Sequence, residues 1–137
     1  MSDGFIDTNV FIHALARDSH SAECLGFLGA LSEGSVQAIV DPLIVHELTC
    51  TLPRFARQMS RQDIADFVTG VLNFPGVISE RDLLTEALAR WARTPGLGFV
   101  DAVLGVRAIR MSAPVYTKNV RHFAGHGVDV PDPLPLE

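Results

Sequence analysis

Cysteine is scarce in this sequence: Cys24 and Cys50 are the two present among 137 residues. Two thiols are too few for a disulfide scaffold or a four-cysteine zinc site, and they suggest a reducing compartment, so a cytoplasmic location is expected. Long apolar runs are missing as well. None reaches the roughly 18 residues that a membrane-spanning helix needs, so no membrane partner is expected. Met1-Ser2-Asp3-Gly4 lacks the basic stretch that opens a signal peptide. Positive charge is also in deficit: 11 Lys and Arg stand against 16 Asp and Glu, a formal net charge of −5. That balance argues against a broad electrostatic grip on nucleic acid, though not against local contact. Repeats, low-complexity tracts and linker-like stretches are absent too, so residues 1–137 read as a single domain. What is present is ordinary for a folded domain, with 47 % apolar and 20 % charged residues. A chain this long buries roughly two thirds of the surface its unfolded form exposes. The informative question is therefore where the acids sit.

Short apolar runs alternate with amphipathic stretches. Gly4-Phe5-Ile6 reads as a buried strand ending at Asp7, followed by a helical turn or two over Val10–Ala16. Asp18 or Ser19 is expected to cap a helix to about Leu31, closed by Gly34, and Val36–Val40 reads as a second strand. Asp41-Pro42 opens a helix towards Arg57, because Asp is a favoured cap and Pro fits the first helical position; Pro53 should bend or break it. Ser60 starts another helix, ending near Asn73. Val77-Ile78 reads as a short strand, Ser79 as the cap of a helix to Arg93, and Phe99–Met111 as a further helix. Val115-Tyr116-Thr117 and Val128-Asp129-Val130 are expected as the last strands. This alternation predicts an α/β fold, a mostly parallel sheet with helices on both faces. Ligands in such sheets bind at the C-terminal ends of strands, where Asp7 and Thr117 fall.

Three acids stand in apolar surroundings. Asp7 directly follows Gly4-Phe5-Ile6, and its bland account is a helix cap. Glu47 is expected at the margin of an apolar stripe formed by Leu43, Ile44, Leu48, Leu52 and Phe55, where a buried stem with a solvated head would be ordinary. Asp101 is the only charge between Leu97 and Val106. A helix-dipole contact would account for it, but a charge so surrounded is seldom placed for that alone. Carboxylates brought together repel unless a cation lies between them, and all-oxygen sites select Mg²⁺ or Mn²⁺ over Zn²⁺. Such an ion positions phosphate and activates water, so hydrolysis of a phosphate ester is the chemistry favoured.

Four blocks occur in order: Phe5-Ile6-Asp7-Thr8-Asn9, Pro42-Leu43-Ile44-Val45-His46-Glu47-Leu48, Phe99-Val100-Asp101-Ala102, and Tyr116-Thr117-Lys118-Asn119-Val120-Arg121-His122-Phe123. Together they resemble the PIN-domain ribonucleases, and among these the VapC-type toxins of bacterial toxin–antitoxin pairs, over roughly Gly4 to Val130. The resemblance implies a three-layer α/β/α sandwich and a divalent-metal-dependent endoribonuclease acting on RNA. It also implies a homodimer held in check by a small cognate antitoxin protein. It places Asp7, Glu47 and Asp101 as the metal-binding acids, Thr117 and Asn119 as the motif completing the site, and Asn9 as the polar residue of the first block. Two positions depart from the pattern: Asn119 stands where many members have Asp, and His122 where an acid often precedes the Phe. One-metal and two-metal mechanisms both remain open with three acids. Lys118, Arg121 and His122 lie beside the expected site as candidate RNA contacts.

Other signals are weaker. His46-Glu47-Leu48-Thr49-Cys50 begins like a zinc-protease helix but ends in Cys where His is needed. Arg54, Arg57 and Arg61 are expected on a solvated face. Phe67, Val71, Leu72, Leu83, Leu84 and Leu88 read as core, with a dimer surface open as an alternative. Among rival functions, a haloacid-dehalogenase-type phosphohydrolase needs Asp-x-Asp where this chain has Asp7-Thr8-Asn9. A receiver-like phospho-acceptor lacks the paired acids. A PIN-like RNA-binding or scaffold domain with weak or no activity stays in view because of Asn119 and His122.

Overall fold

A computed structural model of the protein describes residues 3–136. Its elements are β1 (Gly4–Phe5), α1 (Thr8–Leu15), α2 (Ser21–Glu33), β2 (Ala38–Ile39), α3 (Pro42–Phe55), α4 (Arg61–Leu72), β3 (Val77–Ile78), α5 (Arg81–Arg93) and α6 (Phe99–Met111), with a short 3₁₀ turn at Val120–His122. The strands pair in parallel in the order β1-β2-β3, with Gly4 opposite Ala38, Phe5 opposite Ile39, and Ile39 opposite Ile78. Helices make every crossover, as parallel pairing requires. A small parallel sheet dressed by six helices is the α/β/α class that the alternation predicted. None of the described helices is long and apolar enough to cross a membrane.

The boundaries follow from local chemistry. Asp41 caps α3, its side chain accepting the Leu43 N–H at 2.9 Å, with Pro42 just inside the helix. Pro53 is accommodated in the last turn without ending α3 early. Ser60 and Asp63 form a reciprocal capping box on α4. Gly34 ends α2 in the left-handed region at φ 78°, which costs glycine little.

Elsewhere the expected boundaries are corrected. Asp18 and Ser19 do not cap α2, which starts at Ser21. Asp18 organises the preceding turn instead, taking a hydrogen bond from the His13 ring at 2.8 Å and from the His20 N–H at 2.8 Å. The His13 ring, and after it the His20 N–H, hold its carboxyl below the ordinary aspartate range. Ser79 does not cap α5 either. The helix begins at Arg81 after Glu80, and the Ser79 hydroxyl is buried with no hydrogen-bond partner. Val115–Thr117 and Val128–Val130 form no strand; one backbone bond, Val115 N–H to Asp129 O at 2.9 Å, joins them. Pro114 and Pro131 flank these segments and remove ladder donors at the points where pairing would extend.

Phe11, Leu31, Leu48, Leu52, Leu84 and Leu88 are completely buried, and the expected α4–α5 core holds, with Phe67 half-buried at its rim. The α3 stripe is rotated from its expected position: Val45, Leu48, Thr49 and Leu52 face inward, while Leu43 and Phe55 are exposed. Arg61 is also corrected. Its guanidinium donates to Trp91 O at 2.7 Å and Leu97 O at 2.5 Å, and lies 4.2 Å over the Trp91 ring, tying α4 to the α5–α6 connection. Charged donors to buried carbonyls contribute more than neutral ones, so Arg61→Ala should cost about 2–3 kcal/mol in urea unfolding. Arg61→Lys should recover only part of that, since an ammonium lacks the fork. An Arg61→Ala loss within about 0.5 kcal/mol of zero would return Arg61 to the class of surface substitutions.

Candidate functional site

Asp7 follows β1 and precedes α1, with an extended backbone (φ −89°, ψ 155°) that suits a helix cap. Its carboxylate nevertheless makes no capping bond and is exposed. Capping therefore does not explain an acid at this point. The next residue, Thr8, is buried at 8 % exposure, and its hydroxyl donates to Glu47 Oε2 at 2.5 Å. Glu47 lies in the second turn of α3 and is itself exposed. Through Thr8, then, the end of β1 and the acid of α3 are neighbours although 39 residues separate them. Thr8 stands in the first block of the resemblance but is given no role there; its signal is its place directly after the strand-end acid.

Asp101 lies in the first turn of α6, half-buried, where the helix dipole favours a negative charge. Its Oδ2 lies 2.8 Å from His122 Nδ1, so the 3₁₀ turn is docked on this carboxylate. Position 122, where the resemblance puts an acid in many members, thus supplies a donor to Asp101. Thr117 Oγ1 accepts the Asn119 N–H at 2.9 Å, shaping the turn that leads to His122. Lys118 is paired with Asp132 at 2.7 Å. Asn9 and Arg121 are exposed. Lys118, Asn119, Arg121, His122 and His126 line a cavity of about 380 Å³ against the Thr94–Leu97 loop.

The expected set is therefore arranged in pairs: Glu47 beside the Asp7–Thr8 step, and Asp101 with His122. Asp7 and Glu47 are more exposed than their apolar sequence surroundings predict. Among the described residues no three His, Cys, Asp or Glu side chains stand close enough together to hold a metal ion. The donor chemistry still fits a hard cation, since the three acids offer carboxylate oxygens and Asp7 makes no capping bond. His46 and Cys50 sit one helical turn apart with the sulfur 3.9 Å from Nε2, a packing contact between neighbours in α3.

The chain matches no curated protein. The family description "PIN domain" matches residues 4–125, and so takes in β1 through the 3₁₀ turn and each of the candidate site residues. On that match, over far more than half of its 137 residues, the chain belongs to the PIN domain family.

Proposed function

We propose that this protein is a divalent-metal-dependent endoribonuclease, with Asp7, Glu47 and Asp101 as its metal-binding acids. PIN domains are generally metal-dependent nucleases and bind RNA, and typically use Mg²⁺ or Mn²⁺. The observation that carries the assignment to this chain is the Asp7 carboxylate. It follows the end of a strand of the parallel sheet, makes no capping bond to its helix, and precedes Thr8, whose hydroxyl binds Glu47.

Asp7, Glu47 and Asp101 would hold such an ion, which would supply Lewis-acid polarisation of a phosphate and a more acidic water as the nucleophile. Thr8 keeps the Glu47 carboxylate turned towards the end of β1, and His122 holds one carboxylate oxygen of Asp101 at the 3₁₀ turn. Thr117 and Asn119 orient water or phosphate from the adjoining turn. Asn9, Lys118 and Arg121 offer contacts to the RNA, the two cations to its phosphates, which gives the local grip that a net charge of −5 allows.

Purified protein should cut unstructured RNA with added Mg²⁺ or Mn²⁺ and fall to background in excess EDTA. Undiminished cleavage in EDTA would sink the reading. The finer assignment is a toxin of a toxin–antitoxin pair, acting in the cytoplasm as a homodimer and restrained by a small antitoxin. Expression should then arrest growth, and a small protein encoded next to it should relieve the arrest. A harmless chain would count against that role without touching the nuclease reading. The pairing of Asp101 with His122 favours one alternative, an RNA-binding domain with little catalysis. RNA bound with no metal-dependent cutting would select it.

A further inference from the structure

We propose that the groove beside Asp7 is a nucleobase subsite. It would hold one unpaired base of the RNA next to the bond that is cut, stacked on Phe5 and Phe27 and read along its edge by Glu23. This rests on the nuclease reading of Asp7 and adds to it the part of the substrate that the acids do not touch.

Strand geometry supplies the first observation. Phe5 ends β1 and Asp7 follows it in extended backbone, both exposed on the same groove, while Ile6 between them is buried at 3 % exposure. The Phe5 ring is 72 % exposed, which leaves it almost no part in the core. Phe27, on α2 across the groove, is 37 % exposed. Both rings line one groove of about 580 Å³ with Asp7, Asn9, His20 and Glu23. Two open aromatic rings sharing a groove with a candidate catalytic acid make a stacking surface for a flat ligand.

The turn behind the wall is organised by its own bonds. The His13 and His20 rings meet edge to face with centroids 4.7 Å apart, and Asp18 bonds both the His13 ring and the His20 N–H. The Ser21 hydroxyl lies within donating distance of two carbonyls, His13 O at 2.7 Å and Ala16 O, and its one proton shared between them fastens the start of α2 to the end of α1. The His13 imidazole is thus bonded within the turn, and the His20 ring packs against its edge.

Glu23 gives the preference. An ionised carboxylate only accepts hydrogen bonds, so it suits a base edge carrying an exocyclic amino group. Adenine, guanine and cytosine have one; uracil offers only its N3–H, set between two carbonyl oxygens that repel a carboxylate. Continuity with Asp7 and Asn9 selects RNA over a protein segment as the occupant.

The test is fluorescence anisotropy with labelled eight-nucleotide oligomers of A, C or U. It uses the full chain in EDTA, and Asp7→Asn protein with Mg²⁺, so that no RNA is cut in either arm. Phe5→Ala and Phe27→Ala should each weaken oligo(A) binding about five-fold or more. An abasic nucleotide at one position should cause the same loss, and Phe5→Ala should add nothing to it. Glu23→Gln should bring the affinities for A and C towards that for U. Wild-type affinity in both Phe variants, or no binding of any oligomer in either arm, overturns the subsite. So does a Phe5→Ala variant that alters self-association in sedimentation but not RNA affinity, since the groove would then face a second copy. A Phe5 effect on binding with no metal-dependent cutting by the wild type would retire the nuclease reading and leave the base site standing.

Discussion

Asp7→Asn is expected to lower the rate of RNA cleavage by about 10²–10⁴-fold while leaving the stability of the fold unchanged. The two halves of that expectation have separate origins. Asp7 makes no capping bond and is exposed, so its replacement breaks no capping interaction in the folded state. Asn is as good a helix cap as Asp, so the backbone at the start of α1 has no reason to move. The loss is chemical: an amide oxygen carries no net charge, and a hard cation held mainly by carboxylates binds it far less well. Asp101→Asn is a poorer first experiment, because it also alters the contact with His122 and through it the seat of the 3₁₀ turn. Cleavage of a labelled RNA with Mg²⁺, measured beside thermal unfolding, decides the matter. A variant cutting within about threefold of wild type would remove Asp7 from the chemistry. One that melts more than about 3 °C lower would make Asp7 a structural residue, since that shift corresponds to about 1 kcal/mol in a domain this size.

How much was legible in advance depended on the range of the forces involved. The starts of α3 and α4 and the end of α2 follow from bonds spanning a few residues: Asp41 to the Leu43 N–H, Ser60 with Asp63, and Gly34 to the carbonyls of Ala30 and Leu31. Such contacts are written in adjacent letters. The inward face of α3 is not, because three neighbouring helices decide which of several apolar residues they cover; Val45 was taken in and Leu43 left out. The last two expected strands failed for a related reason. Val115–Thr117 and Val128–Val130 have suitable composition, but pairing needs an unobstructed partner, and prolines stand beside both. In the candidate site, the acids themselves could be picked out as charges in apolar runs. Their partners could not: Thr8 reaches Glu47 across 39 residues, and His122 reaches Asp101 across 21. Only folding brings those together. The base groove is a further case, since exposed aromatic rings read as core in a sequence until the fold leaves them outside.

Gly76→Ala is expected to destabilise the protein by at least about 3 kcal/mol, lowering the melting temperature by roughly 10 °C. The cause is neither flexibility nor a left-handed backbone, but the meeting of three stretches of main chain. The Gly76 N–H donates to Leu31 O at 2.9 Å at the end of α2, and its carbonyl accepts the Ala38 N–H at 2.9 Å from β2. A methyl group there would lie 2.1 Å from Val36 O and 2.8 Å from Leu31 O. Neither atom belongs to a side chain that can turn aside, so relief requires moving the end of α2 or parting β2 from β3. Strand β2 leads through Val40 and Asp41 into the helix that carries Glu47, so displacement here also reaches the candidate site. Activity should therefore fall with the fraction unfolded, and recover on cooling, in contrast to the temperature-independent loss in Asp7→Asn. Gly70→Ala is the matching control. Gly70 lies exposed within α4 with nothing inside 4 Å of the added carbon, so the same methyl group should stabilise the protein by about 0.5–1 kcal/mol through helix propensity. Opposite signs from one chemical change, read as shifted urea midpoints at constant slope, would locate the effect in the packing around Gly76. A Gly76→Ala protein as stable as wild type would mean that α2 and β2 can separate at no cost, and that the sheet does not depend on their contact.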